Sequence, residues 1–319
     1  MVGRWRIGGA ILALIAVGLC ACTGAPDRRG QAARLQTEIA TMPGVQSFSA
    51  NVTNDFEHGA NLGLEADMRT ATEDQIAAVA ARIKQLEGDD FDEYRQHAVF
   101  TVADKTEVKR DADFDPNQIA DDARRLRQVT SAVPTDTEKI SWFHSKSASI
   151  MDFGESRYPQ DILAAVRGAI DDQPVQVTIF GRSNSELLIW TVNFPFTADE
   201  QTAVVNVLNG LPTSVSAVTI ENGHVSRLSI GLMDRTDSEP TVDTVINSIG
   251  PSAQHPLFLQ WRDYYRPEPN SLRFSGSVDV HACDYGDPTV GDNAPEKYYT
   301  ATAIALQKSL RERYDSCHR

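Results

Sequence analysis

Apolar residues recur along this chain at two periods, one near 3.6 residues and one of two, and the alternation between them predicts the elements. Ala32, Leu35, Ile39 and Met42 sit at helical spacing in Gln31–Met42, and Pro43-Gly44 stops that helix. Val45–Val52 then reads as a strand, and Leu62, Leu64, Ala66 and Met68 mark a second. Thr72-x-x-Gln75 is a capping box, opening a helix through Leu86 whose stripe is Ile76, Val79, Ala80 and Ile83. A strand at His97–Val102 follows the acidic loop Glu87–Glu93.

The same order then recurs. Asp115-Pro116 caps and starts a helix that ends near Val133-Pro134, with proline in the first turn where its missing N–H does no harm. Strands at Lys139–Phe143 and Ser147–Phe153, a helix at Pro159–Ile170 and a strand at Val175–Phe180 come next. A third round runs from strand Leu187–Phe194 into a helix capped by Thr197-x-x-Glu200 and closed by Leu211-Pro212. Strands Val215–Ile220 and Val225–Leu232 flank Asn222-Gly223, a hairpin turn pair. Helix Thr241–Ile249 and strand Leu257–Trp261 complete the round. A last strand at Leu272–Val280, the loop Asp284–Pro295 and a helix at Tyr298–Tyr314 end the chain.

Two pairs of segments share this local grammar: QTEIATMPGVQSFSANV with QTAVVNVLNGLPTSVSAVTI, and NLGLEADMRTATEDQIAAV with LLIWTVNFPFTADEQTAVV. The expectation is an α+β fold of tandem small two-layer α/β sandwich modules, ferredoxin-like or similar, with mixed or antiparallel sheets. Module boundaries fall at 31–110, 111–183 and 184–263, with a C-terminal strand, loop and helix at 264–319.

The N-terminal stretch follows a different pattern. Arg4 and Arg6 precede an apolar run from Ile7 to Leu19, too short for the roughly 20 residues of a membrane span and laid out as a signal peptide. It ends in Leu19-Cys20-Ala21-Cys22, which resembles the lipobox of bacterial lipoproteins. The resemblance implies a signal at 1–21, cleavage before Cys22, acyl lipid on Cys22, and a tether at 22–30. With the general composition, it is similar to actinobacterial, mycobacterial-like lipoproteins; that likeness is confined to the first 24 or so residues and lends no active-site residue. It implies a protein held by lipid on the extracytoplasmic face of the cell membrane.

The chain carries 30 basic and 44 acidic side chains, a charge that repels nucleic acid. Apart from Cys20 and Cys22 of the lipobox-like stretch, the chain has two cysteines, Cys283 and Cys317, and an oxidising compartment predicts that they pair. No G-x-S-x-G elbow, H-E-x-x-H, C-x-x-C or glycine-rich phosphate loop occurs. Asp111-x-Asp113-x-Asp115 lacks the pattern of a calcium loop, and Phe114 and Pro116 argue instead for a helix cap at Asp115. Hence no catalytic residue, metal site or cofactor is assigned. The exposed composition around Tyr264, Tyr265 and Arg266, beside Pro267 and Pro269, is that of an interface. The expected function is a non-enzymatic binding or structural role in the cell envelope, toward a protein or cell-wall partner. The alternatives are an envelope-polymer hydrolase or transferase, and a lipid or small-molecule carrier.

Overall fold

A computed structural model describes residues 25–317, apart from 56, 58, 113, 184–185, 234–236, 264–270 and 286–294. The expected signal, Cys22, Tyr264, Tyr265 and Arg266 lie outside the described residues.

The elements come as a helix followed by two strands, six times over. The first three groups are α1 Arg29–Ile39 with β1 Ser47–Asp55 and β2 Gly59–Asp67, α2 Glu73–Glu87 with β3 Arg95–Ala103 and β4 Thr106–Asp111, and α3 Pro116–Ala132 with β5 Ile140–His144 and β6 Ser149–Ser156. Then come α4 Pro159–Ile170 with β7 Val175–Ser183 and β8 Glu186–Phe194, α5 Ala198–Asn209 with β9 Val215–Glu221 and β10 His224–Leu232, and α6 Ser238–Ile249 with β11 Leu257–Asp263 and β12 Gly276–Val280. Helix α7, Ala301–Tyr314, closes the chain.

All twelve strands form one sheet in chain order. Within each group the strands are antiparallel, and helices α2 to α6 each cross to an adjacent parallel strand. The α+β class and the mixed sheet match the sequence reading, while the strands do not divide into separate small sandwiches. The expected boundary at 183/184 falls inside the β7–β8 hairpin, and that at 263/264 lies between the paired strands β11 and β12. Among the described residues no split connection of a ferredoxin-like unit occurs, because α2 to α6 each join neighbouring strands.

One buried row explains the single sheet. Phe48, Ala66, Phe100, Val108, Trp142, Met151, Val177, Val192 and Ile220 are register partners from β1 to β9, and all are buried. The helices cover this row from one side, with Ile76, Val79 and Ile83 of α2, Ile119, Leu126 and Val129 of α3, and Val242 and Val245 of α6 in the same core. Strand direction reverses from one crossover to the next while the helices stay on one face. Successive crossovers therefore have opposite hands, and at least two of the five are left-handed against the general preference. Neighbouring helices are antiparallel in consequence, and Arg127 near the end of α3 reaches Glu73 at the start of α2 (2.9 Å).

Both predicted capping boxes form, Thr72 with Gln75 and Thr197 with Glu200, and Asp115 caps α3 through the Asn117 amide. The strand missing from the sequence reading is β4. Its core-facing positions are Thr106, Val108 and Arg110, so two polar residues hide the alternation. Arg110 is buried because it pairs with the equally buried Asp122 of α3. The predicted final strand at 272–280 is instead a 3-10 turn, Ser271–Phe274, followed by the shorter β12. Gly276 opens β12 because Trp261, its partner on β11, lays its indole where a Cβ would stand.

Glu87 in the last turn of α2 is 6% exposed, and its Oε1 has no hydrogen-bond partner. Burial pushes its carboxyl up to about 7 from 4.5, with the nearby Lys84 opposing the shift. Folding therefore favours the protonated acid. This contribution is fully present below pH 4.5 and is lost as pH rises through about 7. The loss amounts to about 3 kcal/mol at 1.36 kcal/mol per pH unit. In denaturant titrations between pH 4.5 and 8, Glu87→Gln should be the more stable protein at pH 8 by about 2–3 kcal/mol. Parallel stability curves for the two proteins would contradict this.

Candidate binding surfaces

Because α1 to α6 lie on one face, no described helix covers the opposite face of the sheet along most of its width, although Ser141, Ser229 and Asp279 are buried there. Its side chains follow from register. One row runs across all twelve strands: Ser47, Asp67, Thr101, Glu107, Ser141, Asp152, Thr178, Thr191, Thr219, Arg227, Phe258 and Asp279. A hydroxyl residue occupies the first strand of five groups, and a carboxylate the second strand of the first three. At about 4.8 Å between strands, equivalent positions stand about 9.5 Å apart.

The flanking rows add apolar and amide groups. Val99, Lys109, Phe143, Ile150, Gln176 and Asn193 form one, with Gln176 donating to Asn193 Oδ1 at 3.1 Å. Phe180, Ile189, Ala217, Ser229 and Gln260 form part of another, with Phe180 36% exposed. The charges are locally paired. Arg69 holds the Asp67 carboxyl below its ordinary range through a side-chain hydrogen bond. Lys109 and Lys139 lie 3.6 and 3.0 Å from Glu107. Arg227 stacks over Phe258 at 5.2 Å.

At the β12 end the sheet edge is closed. Helix α7 lies along β12, where Gln307 Oε1 accepts from the Ser277 amide (2.9 Å) and Arg311 Nε donates to the Ser277 carbonyl (3.1 Å). The Tyr285 hydroxyl accepts from the Asp279 amide at 2.9 Å, and burial pushes its pKa up to about 12. Burial likewise raises the carboxyl of Asp279, which accepts from the Asp284 amide. Unpaired strand edges invite intermolecular pairing, and this one is occupied by side chains. The predicted Cys283–Cys317 disulfide is present and ties the loop after β12 to the end of α7.

On the helix side, α5 is the loosely seated element, with Val204 its one buried residue. A groove of about 340 Å³ lies between α4 and α5, and another of about 220 Å³ lies between α5 and α6. Leu188, Trp190, Val205 and Leu208 line the first, and Val204, Val207, His224 and His255 line part of the second. The two histidine rings are stacked 3.7 Å apart.

Among the described residues no group of three or more His, Cys, Asp or Glu is placed to hold a metal ion, and no helix is long and apolar enough to cross a membrane. Sequence reading missed the uncovered face and both grooves. The face has a signal in hindsight, since hydroxyl and acidic residues occupy the polar phase of strand after strand, but the phase needs β4 to be read across the sheet.

The disulfide encloses 34 residues of separation, worth about 3–4 kcal/mol by loop closure. Cys283→Ser should lower stability by about that amount and expose β12, giving concentration-dependent association. A variant as stable and as monomeric as the parent would contradict the capping role of α7. Comparison of the chain with known protein families, with curated proteins and with solved structures finds no match.

Proposed function

We propose that the protein is a lipid-anchored, extracytoplasmic, non-enzymatic binding protein of the cell envelope, and that it engages its partner through the uncovered face of the sheet. The observation that carries the reading is the segregation of α1 to α6 to one face, which leaves hydroxyl, amide and aromatic side chains arrayed on the other. In this reading the six helix–hairpin groups act as modules of one platform. A linear envelope polymer or extended polypeptide lying across the strands meets a similar pair of side chains at every second strand, about 9.5 Å apart. Phe143, Phe180 and Phe258 supply ring faces, and Gln176, Asn193 and Gln260 supply amides. The anchor rests on the lipobox-like Leu19-Cys20-Ala21-Cys22. The hydrolase or transferase alternative would have to use the pocket of about 250 Å³ lined by Asp136, Glu138, Glu155, Ser156 and Arg157, where the Arg157 guanidinium is already ion-paired with Asp136 (3.1 Å).

Two arms test the proposal. Cys22→Ala should release the protein from the membrane fraction, and unchanged fractionation would contradict the anchor. A photoreactive side chain at Thr178 or Thr191 should crosslink an envelope glycan or protein in intact cells, with the adduct lost in Phe180→Asp. The same probe at Arg124, exposed on the helix face, is the control. Equal capture from Arg124, or none from the sheet face, would overturn the assignment.

A further inference from the structure

The groove between α4 and α5 has a construction that the sheet-face reading does not use. Helix α4 begins at Pro159, and Arg167 near its end donates to the Phe196 carbonyl and to Gln201 Oε1, both at 2.6 Å, holding the start of α5 close. Away from this tie, Leu188 and Trp190 of β8 and Val205 and Leu208 of α5 face an open space of about 340 Å³. These side chains are apolar, and all but Trp190 are only half-buried.

Trp190 is 2% exposed, yet its indole N–H has no acceptor. A buried donor without a partner is costly to leave unmade. The neighbouring position on β7 is Gly181. A Cβ there would press on the Leu188 carbonyl at 2.9 Å and stand 3.8 Å from the Trp190 pyrrole edge and 3.7 Å from the Pro159 ring. The Leu188 carbonyl thus closes this side at Gly181, and because the indole nitrogen is itself buried the groove meets Trp190 as an apolar wall.

The rim is polar and balanced in charge. Gln160, Asn209 and Thr213 contribute an uncharged set, and the Arg157 guanidinium is ion-paired with Asp136 (3.1 Å). The chain as a whole carries a net charge of −14, which disfavours anions. A dry cavity of about 150 Å³ accommodates benzene, so this space suits a ligand of about a dozen non-hydrogen atoms.

We infer that the groove between α4 and α5 is a binding site for an uncharged, largely apolar small molecule. Such a ligand would lay its apolar body along Leu188, Trp190, Val205 and Leu208 and turn its polar end to Gln160, Asn209 and Thr213 at the rim. The second groove, beyond α5, is not part of this site.

The test uses 1-decanol as the probe, with decanoate and decyltrimethylammonium as charged counterparts, and reads displacement of the neutral dye N-phenyl-1-naphthylamine from the full chain. Saturable one-to-one binding of decanol, at least tenfold tighter than either charged analogue, is expected. Val205→Phe should weaken it tenfold or more by filling the groove, while Val207→Phe, in the other groove, should leave it within twofold. Leu208→Asp gives a second reading should Val205→Phe fail to fold. Absence of saturable binding, equal binding of the three probes, or indifference to both groove substitutions would each overturn the inference. None of these outcomes bears on the sheet face, whose test is separate.

Discussion

The constraint on which the structure depends is that each strand has one face to bury and one helix layer to bury it against. Row after row of the helix-facing side is apolar, and register carries those rows unbroken from group to group. A second buried row, Ile140, Phe153, Ile179, Trp190, Val218, Leu228, Leu259 and Val278, runs beside the first from β5 to β12. A slip of one residue in any pair would turn a strand's apolar set toward solvent. The continuous core is therefore also what specifies the register of the uncovered face.

That constraint outweighs a strong topological preference. A helix–hairpin group reverses strand direction before every crossover, so keeping all helices on one layer forces the crossovers to alternate in hand. The alternative, helices on alternate faces, would preserve handedness but break both the helix–helix contacts and the single core. Arg125 of α3 donating to the Ala169 carbonyl and pairing with Asp171, each at 2.9 Å, is one of the links that only a common layer permits. The open ends of such a sheet need separate treatment, and α7 with its disulfide supplies it at β12.

Much of the fold was legible in the sequence wherever apolar periodicity and helix caps coincide. Thr72, Asp115 and Thr197 announced their helices, and Asn222-Gly223 its hairpin, with both residues at positive φ. Illegible was β4, one of whose core positions is held by Arg110 because Asp122 of α3 pairs with it, a pairing that apolar periodicity does not reveal. Without β4 the helix–hairpin order cannot be counted, and three modules are read where one sheet exists. The disulfide was readable from cysteine usage. The uncovered face was not, because an exposed strand face and a loop differ in the sequence only by phase. The grooves beside α5 depend on how far two helices stand apart, which the sequence does not express.

The central claim is that one face of the sheet is buried throughout and the other is open. Single cysteines placed in turn at 175, 176, 177, 178 and 179 of β7 test it most directly, through their rate of reaction with a thiol reagent in the folded protein. The account predicts fast labelling at 176 and 178, at least tenfold above 175, 177 and 179, whose native side chains are 3% exposed or less. Slow labelling at all five positions would mean that a second layer covers the sheet, and would contradict the account.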